Sequence, residues 1–348
     1  MPDRAGAPAG CGARLGTYGA SRRRTARTTV PAGATEGGAV IRGEVIAPST
    51  TAAEGPPAPA EAAIRPGRCL VLGILTVTPD AFSDGGKTFR PDLAIGRGLD
   101  LARRGADIID VGGESVRPGA APIPLAEEMR RVLPVVAELA AAGAVVSVDT
   151  TRARVARAAL AAGARMVNDV SGGLADPAML PLVADHGCPY VLMHCRNRSG
   201  PGYRDVVAQV LAELADRVAA ARRAGVAADR LIVDPGIGLA KSNEQNWQIL
   251  ARMGEFRRLG YPVLIGAARK SLLGGPFTGR SGDRPSDQRD GASAALSALA
   301  ARAGMWGVRV HDVESSLDGV LVAAALTAAG QVQAPPAGCG EATTVHVQ

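Results

Sequence analysis

Aromatic residues make up only 3% of this 348-residue chain: two Trp, four Tyr and four Phe. So few flat side chains argue against a protein that stacks nucleic-acid bases on aromatic platforms. Cysteine is scarce as well. The five (Cys11, Cys69, Cys188, Cys195, Cys339) are odd in number, far apart and never paired as C-x-x-C. That speaks against a zinc ribbon and a dense disulfide framework, and suits a reducing, cytoplasmic setting. Long apolar runs are missing too. The longest uncharged tract is 319–340, and its apolar part is broken by Gln331, Pro335 and Pro336, which reads as too short to span a bilayer. Arg22, Arg23 and Arg24 are not followed by the apolar stretch of a secretory signal. A glycine-rich G-x-G-x-x-G turn is also absent, which weakens the case for a doubly wound dinucleotide-binding sheet.

The chain does have enough apolar residues for a large core, 47%. Its net charge is +6, an excess that suits a small anionic substrate as well as a polyanion. Residues 1–66 are rich in Ala, Gly, Pro, Thr and Arg without apolar periodicity, and read as a disordered extension. Residues 332–348 read as a flexible tail, leaving 67–331 as one domain. Within it, short apolar runs alternate with Ala- and Arg-rich helical stretches. The strands are expected at 69–75, 107–112, 144–149, 166–170, 190–194, 231–234, 263–267 and 307–311. Helices are expected between them, for example at 92–104, 125–142, 151–162, 203–224 and 286–303. This alternation implies βαβ units with parallel pairing. The runs lack polar alternation, as strands buried on both faces do. Eight of them over about 260 residues match a (β/α)8 TIM barrel.

Nearly every strand ends in a polar residue: Thr76, Asp110 and Glu114, Asp149, Asn168 and Asp169, His194, Asp234, Arg269 and Lys270, Arg309 and His311. In a barrel those ends meet on the rim where active sites are built. Asp149, Asn168 and Asp234 form a hydrogen-bonding, acidic group suited to a planar heterocycle with amino and ring N–H groups. Capping a helix is the competing role for Asp149, which precedes Thr150 and a helix. Arg117, Lys270, Arg309 and His311 form a cationic group suited to a phosphate or diphosphate. Arg309 and His311 are two apart on a strand and share a face, and the lumen is the less costly face for a buried Arg. Residues 76–86 and 112–119 read as loops able to close over the mouth. Trp247 and Trp306 are expected to pack between barrel and helices, and His186 to end a helix.

Together these segments resemble the dihydropteroate synthase family from about Leu70 to Ala329. The motifs are GILTVTPDAFSDGG (73–86), GGESVRPG (112–119), SVDT (147–150), NDVSGG (168–173), LMH (192–194), DPGIGLAK (234–241), GAARKS (266–271) and VRVHDV (308–313). The resemblance implies condensation of 4-aminobenzoate with 6-hydroxymethyl-7,8-dihydropterin diphosphate, giving 7,8-dihydropteroate and diphosphate. It implies a pterin pocket of Asp149, Asn168, Asp234 and Lys270 with Met193 nearby. It also implies a diphosphate site of Arg117, Arg309 and His311, an aminobenzoate site at Ser271 and Phe82, and a loop contribution from Asp84. Mg²⁺ with the diphosphate, a homodimer using the late helices, and no nucleic-acid or membrane partner are implied as well.

Some positions depart from the family pattern. Thr76 stands where the family has an Asn of the Mg²⁺–diphosphate site, Val116 where many members have Thr or Ser, and Ala268 where Ser is usual; Ala81 is a smaller change. The losses fall on the diphosphate side, so pterin recognition is expected to be intact and turnover to be slowed. The alternatives are a pterin-binding paralogue with another amine substrate or sulfonamide tolerance, and a non-catalytic pterin-binding protein. A pterin-barrel methyltransferase is disfavoured by the cationic RKS and VRVH segments.

Overall fold

The computed structural model describes residues 67–78, 90–114, 122–196, 202–275 and 284–331. Eight parallel strands run in the order β6-β5-β4-β3-β2-β1-β8-β7. They are β1 Leu70–Thr76, β2 Ile108–Gly112, β3 Val146–Asp149, β4 Met166–Asp169, β5 Tyr190–Met193, β6 Leu231–Asp234, β7 Leu264–Ile265 and β8 Gly307–Val310. A bridge between Val233 and Val263 joins the two ends of the sheet and closes it into the expected barrel. Helices α1 Pro91–Arg103, α2 Leu125–Ala141, α3 Ala153–Ala161, α4 Met179–His186, α5 Val206–Arg223, α6 Asn243–Ala251, α7 Asp290–Arg302 and α8 Val313–Gln331 alternate with the strands. Most observed bounds fall within a residue or two of the sequence pattern: β6 matches at both ends, β1 and α1 are shifted by one residue, and α5 and α7 begin three and four residues later than expected. The predicted domain ends, 1–66 and 332–348, lie outside the described residues.

Each strand is buried on both faces, and its side chains alternate between two cores. The outward set, including Val71, Val111, Val148, Val167, Leu192, Val233 and Val308, packs against the helices. The inward set fills the lower lumen: Leu70, Leu72, Ile108, Met166, Val191, Ile232 and Leu264, with Trp306 among them. Trp306 therefore belongs to the barrel interior and not to the interface with the helices, because it precedes β8 and turns inward under it. Trp247 does pack in the helix layer, and His186 ends α4. Burial of such large apolar side chains is worth about 1.5–3 kcal/mol each.

The last helix departs from the sequence expectation. Its stretch Val313–Gly330, with mean hydropathy 1.3, is long and apolar enough to cross a membrane by length and composition. In the fold it is the outer helix after β8. Val313, Val320 and Ala323 are buried, while Leu321, Val322 and Leu326 are exposed, as is Leu299 of α7.

Candidate active site

The same alternation that fills the lower lumen with apolar groups places polar ones above them. On β2, Ile108 is followed two residues later by Asp110. On β4, Met166 is followed by Asn168; on β5, Val191 by Met193; on β6, Ile232 by Asp234. Ser147 of β3 and Arg309 of β8 fall in the same layer, and Asp149 stands above Ser147. On β7 the corresponding residue is Gly266, where an added Cβ would lie 3.5 Å from Asp234 Oδ2 and 3.9 Å from the Arg309 Cβ. A side chain here would extend against both charged residues.

Arg309 is the hub. Its Nε donates to Asp110 Oδ2 at 2.5 Å and its Nη2 to Asp149 Oδ2 at 2.6 Å. Asn168 Nδ2 donates to the same Asp110 oxygen at 2.9 Å. The acidic and cationic groups read separately from the sequence are thus in direct contact. Asp149 does not cap α3. That end is served by Asp176 Oδ2, accepting from Ala153 N at 2.8 Å, and by Thr150 Oγ1, accepting from Arg152 N at 3.2 Å. Asp149 is left to the lumen.

Asp110 was legible only as a strand end, and Ser147 drew no notice. Both are fully buried in the layer. Period-two counting back from Asp149 and forward from Ile108 would have found them. Four buried polar atoms of this layer have no hydrogen-bond partner: Asp110 Oδ1, Ser147 Oγ, Asn168 Oδ1 and Asp234 Oδ2. Buried polar atoms are almost always paired, so four orphans in one layer of the barrel mark a place for a polar ligand.

The other expected residues divide. Lys270 Nζ donates to the Ile237 carbonyl. Its charge lies near Asp234, Arg309 and Asp149, and burial pulls it down to about 8. Burial pushes Asp149 up to about 7 against the pull of Arg309, and it pushes Asp234 up as well. Arg309 moves the other way: Asp110 and Asp149 outweigh its burial and hold it charged. Met193 is buried in the layer. Thr76 ends β1, half-buried, with Gly112 as its partner on β2. Ser271 is exposed on the rim and donates to Asn243 Oδ1 at 3.1 Å. His311 comes one residue past β8, half-buried. Arg117, Asp84 and Phe82, with the departures Ala81 and Val116, lie outside the described residues.

Three strand-end residues turn away from the lumen. Asp169, next to Asn168, accepts from Tyr190 Oη at 2.7 Å and from Ser171 and Gly173 N–H groups at 2.7 and 2.8 Å. His194, next to Met193, meets Glu213 of α5 at 2.9 Å. Arg269 pairs with Asp290 of α7 at 2.6 Å. They brace the rim from behind.

A family model for pterin binding enzymes matches residues 72–311. Dihydropteroate synthase of Mycobacterium leprae is 52% identical over 267 residues, covering 75% of this chain and 94% of its own length. The Xanthomonas albilineans dihydropteroate synthase solved with 4-aminobenzoic acid is 45% identical, with a TM-score of 0.71 over 77% of this chain and 95% of that one. The same enzyme in complex with 7,8-dihydropteroate gives a TM-score of 0.68 at 44% identity over the same shares. By sequence and by fold, the chain belongs to the dihydropteroate synthase family of pterin binding enzymes.

Proposed function

We propose that this barrel condenses 4-aminobenzoate with 6-hydroxymethyl-7,8-dihydropterin diphosphate to give 7,8-dihydropteroate and diphosphate. The four orphaned polar atoms of the lumen carry the reading. A pterin ring bears an amino group, ring N–H groups and a carbonyl along its edge. Asp234 Oδ2, Asn168 Oδ1 and Asp110 Oδ1 are acceptors for the first two, and the Lys270 ammonium is a donor for acceptor atoms of the ring. Asp149 holds Arg309 and adds negative charge beside a pterin whose methylene carbon becomes electron-poor as its bond to oxygen breaks. Met193 supplies an apolar surface for the ring.

In the reaction the aniline nitrogen forms a bond to the methylene carbon, and the carbon–oxygen bond breaks with its electron pair going to diphosphate. The proton lost from nitrogen leaves to solvent or to the departing anion. No enzyme nucleophile is needed. Arg309 makes its two ion pairs through Nε and Nη2, so its remaining N–H groups are available to diphosphate. With Lys270 it neutralises charge that grows as the bond breaks. The family resemblance adds Arg117 and His311 to the diphosphate side, Ser271 and Phe82 to the aminobenzoate side, and a contribution from Asp84.

Among the described residues, no group of three His, Cys, Asp or Glu could hold a metal ion. The Thr76 hydroxyl is one oxygen at the mouth, which does not make a resident cation site. Mg²⁺ would enter on the diphosphate, as it does in sites where phosphates supply most ligands. The chain is a soluble enzyme of the cytoplasm and works as a homodimer. The exposed Leu299, Leu321, Val322 and Leu326 of α7 and α8 support a self-contact, which sedimentation velocity of wild type against Leu326→Glu would read.

The test is diphosphate release from purified protein given the dihydropterin diphosphate, Mg²⁺ and 4-aminobenzoate. Release that depends on the aminobenzoate is expected. Pterin binding without release would point to a binding protein, and release only with another aryl amine to an altered acceptor.

A further inference from the structure

Behind the lumen, between β5, α5 and the loop that follows β6, lies a polar cluster that the condensation does not use directly. His194 is fully buried at the end of β5. Its Nε2 lies 2.9 Å from Glu213 Oε2 and its Nδ1 3.1 Å from Lys241 Nζ. The lysine is the donor in that contact, so Nδ1 accepts and Nε2 carries the hydrogen toward Glu213. Glu213 is held in turn by Arg196, whose Nε donates to it at 2.9 Å. The Arg196 guanidinium stacks 4.2 Å above the Tyr203 ring.

Lys241 Nζ makes two further bonds, to the carbonyls of Gly236 at 3.0 Å and Leu239 at 3.1 Å. An ammonium has three N–H donors, and this one has three acceptors. Two of them belong to the loop 234–241 itself, so Lys241 staples the loop into which it is built. Ala240, immediately before it, has φ 52°, a left-handed conformation uncommon for a residue with a side chain, and this turns Lys241 back beneath the loop.

The front of the same loop faces the ligand. Gly236 N donates to Asp234 Oδ1 at 2.7 Å, which fixes the carboxylate with Oδ2 toward the lumen. Gly236 has φ 69°, and a Cβ there would lie 1.8 Å from the His194 carbonyl, so loop and β5 are in the closest possible contact. Ile237, between the two stapled carbonyls, offers its own carbonyl to Lys270 Nζ. The Lys270 chain crosses Gly238, where a Cβ would lie 2.6 Å from its Cδ.

We propose that Lys241, held from behind by His194 and Glu213, is a positioning residue that sets Asp234 and Lys270 for the pterin. The inference rests on the reading of the lumen as a pterin pocket. Burial pulls His194 down to about 3, which keeps it a neutral acceptor for Lys241.

The experiment measures binding of the dihydropterin diphosphate by calorimetry, and KM for each substrate, in wild type, Lys241→Met, His194→Gln and His194→Leu. Each protein is first checked for a cooperative thermal transition. Gln keeps one acceptor and one donor in place of the imidazole, and Leu keeps neither. Lys241→Met is expected to weaken pterin binding about 10- to 100-fold, the range for losing a hydrogen bond to a charged group, with KM for 4-aminobenzoate little changed. His194→Leu is expected to follow it, and His194→Gln to stay near wild type. Folded Lys241→Met with wild-type pterin affinity overturns the proposal. Should that variant not fold, equal pterin affinity in His194→Leu and His194→Gln overturns it. Wild type that binds no pterin would instead overturn the assignment of the pocket.

Discussion

Replacing Arg309 by Gln tests the hub of the site. The guanidinium is largely buried, with 16% of its side chain exposed, and it bonds two carboxylates of which Asp110 is fully buried and Asp149 is 11% exposed. Removing one partner from a buried ion pair costs about 3–5 kcal/mol, because the other is left as an uncompensated charge. Here two charges are left, within a fold whose total stability is typically about 5–15 kcal/mol. The cost should depend on pH. Asp149 is already pushed up to about 7 with Arg309 in place, and loss of the cation pushes it further. A carboxylate whose folded value lies above its unfolded value of about 3.9 binds more protons in the folded state, so its contribution to stability falls as pH rises through the folded value. Arg309→Gln should therefore lose the full amount near about pH 8.5, and roughly half of it near about pH 5.5, where Asp149 is protonated. Urea unfolding of both proteins at the two pH values measures this. A loss under about 1 kcal/mol, or one equal at both pH values, would show that the ion pairs are solvent-screened and refute the reasoning.

Three other outcomes are expected. Asp234→Asn should weaken pterin binding about 10- to 100-fold while leaving thermal stability unchanged or raised, since Asp234 Oδ2 has no partner to lose; calorimetry with differential scanning reads both. The pH profile of kcat/KM for the pterin should be bell-shaped. Its acid limb belongs to Asp149 at about 7, which must ionise to hold Arg309, and its alkaline limb to Lys241 at about 7 and Lys270 at about 8, which must stay charged. The absence of an alkaline limb would remove both lysines from recognition. Thr76→Asn should raise kcat by roughly 10-fold or more, as expected for regaining about 1.5 kcal/mol at the leaving group. No change in diphosphate release would show that the departure is silent.

Much of this protein was written in its sequence. Eight apolar runs of strand length, separated by helical stretches and lacking polar alternation, determine a parallel sheet covered on both faces, and eight such units match a closed barrel, while the missing glycine-rich turn weighs against the doubly wound alternative. The spaced motifs from Gly73 to Val313 determined the family, and polar residues at the strand ends located the working rim. Which of those residues work was a matter of tertiary structure. A strand's side chains alternate, so a shift of one residue in register sends a group to the opposite core. Asn168 faces the lumen and its neighbour Asp169 the helices; Met193 faces in and His194 out. Only the closed barrel sets that register, and only closure carries Arg309 of β8 across to Asp110 and Asp149, 199 and 160 residues away in the chain. The staple of Lys241 under its own loop is of the same kind. It depends on His194 lying fully buried at the end of the neighbouring strand, which no local pattern specifies.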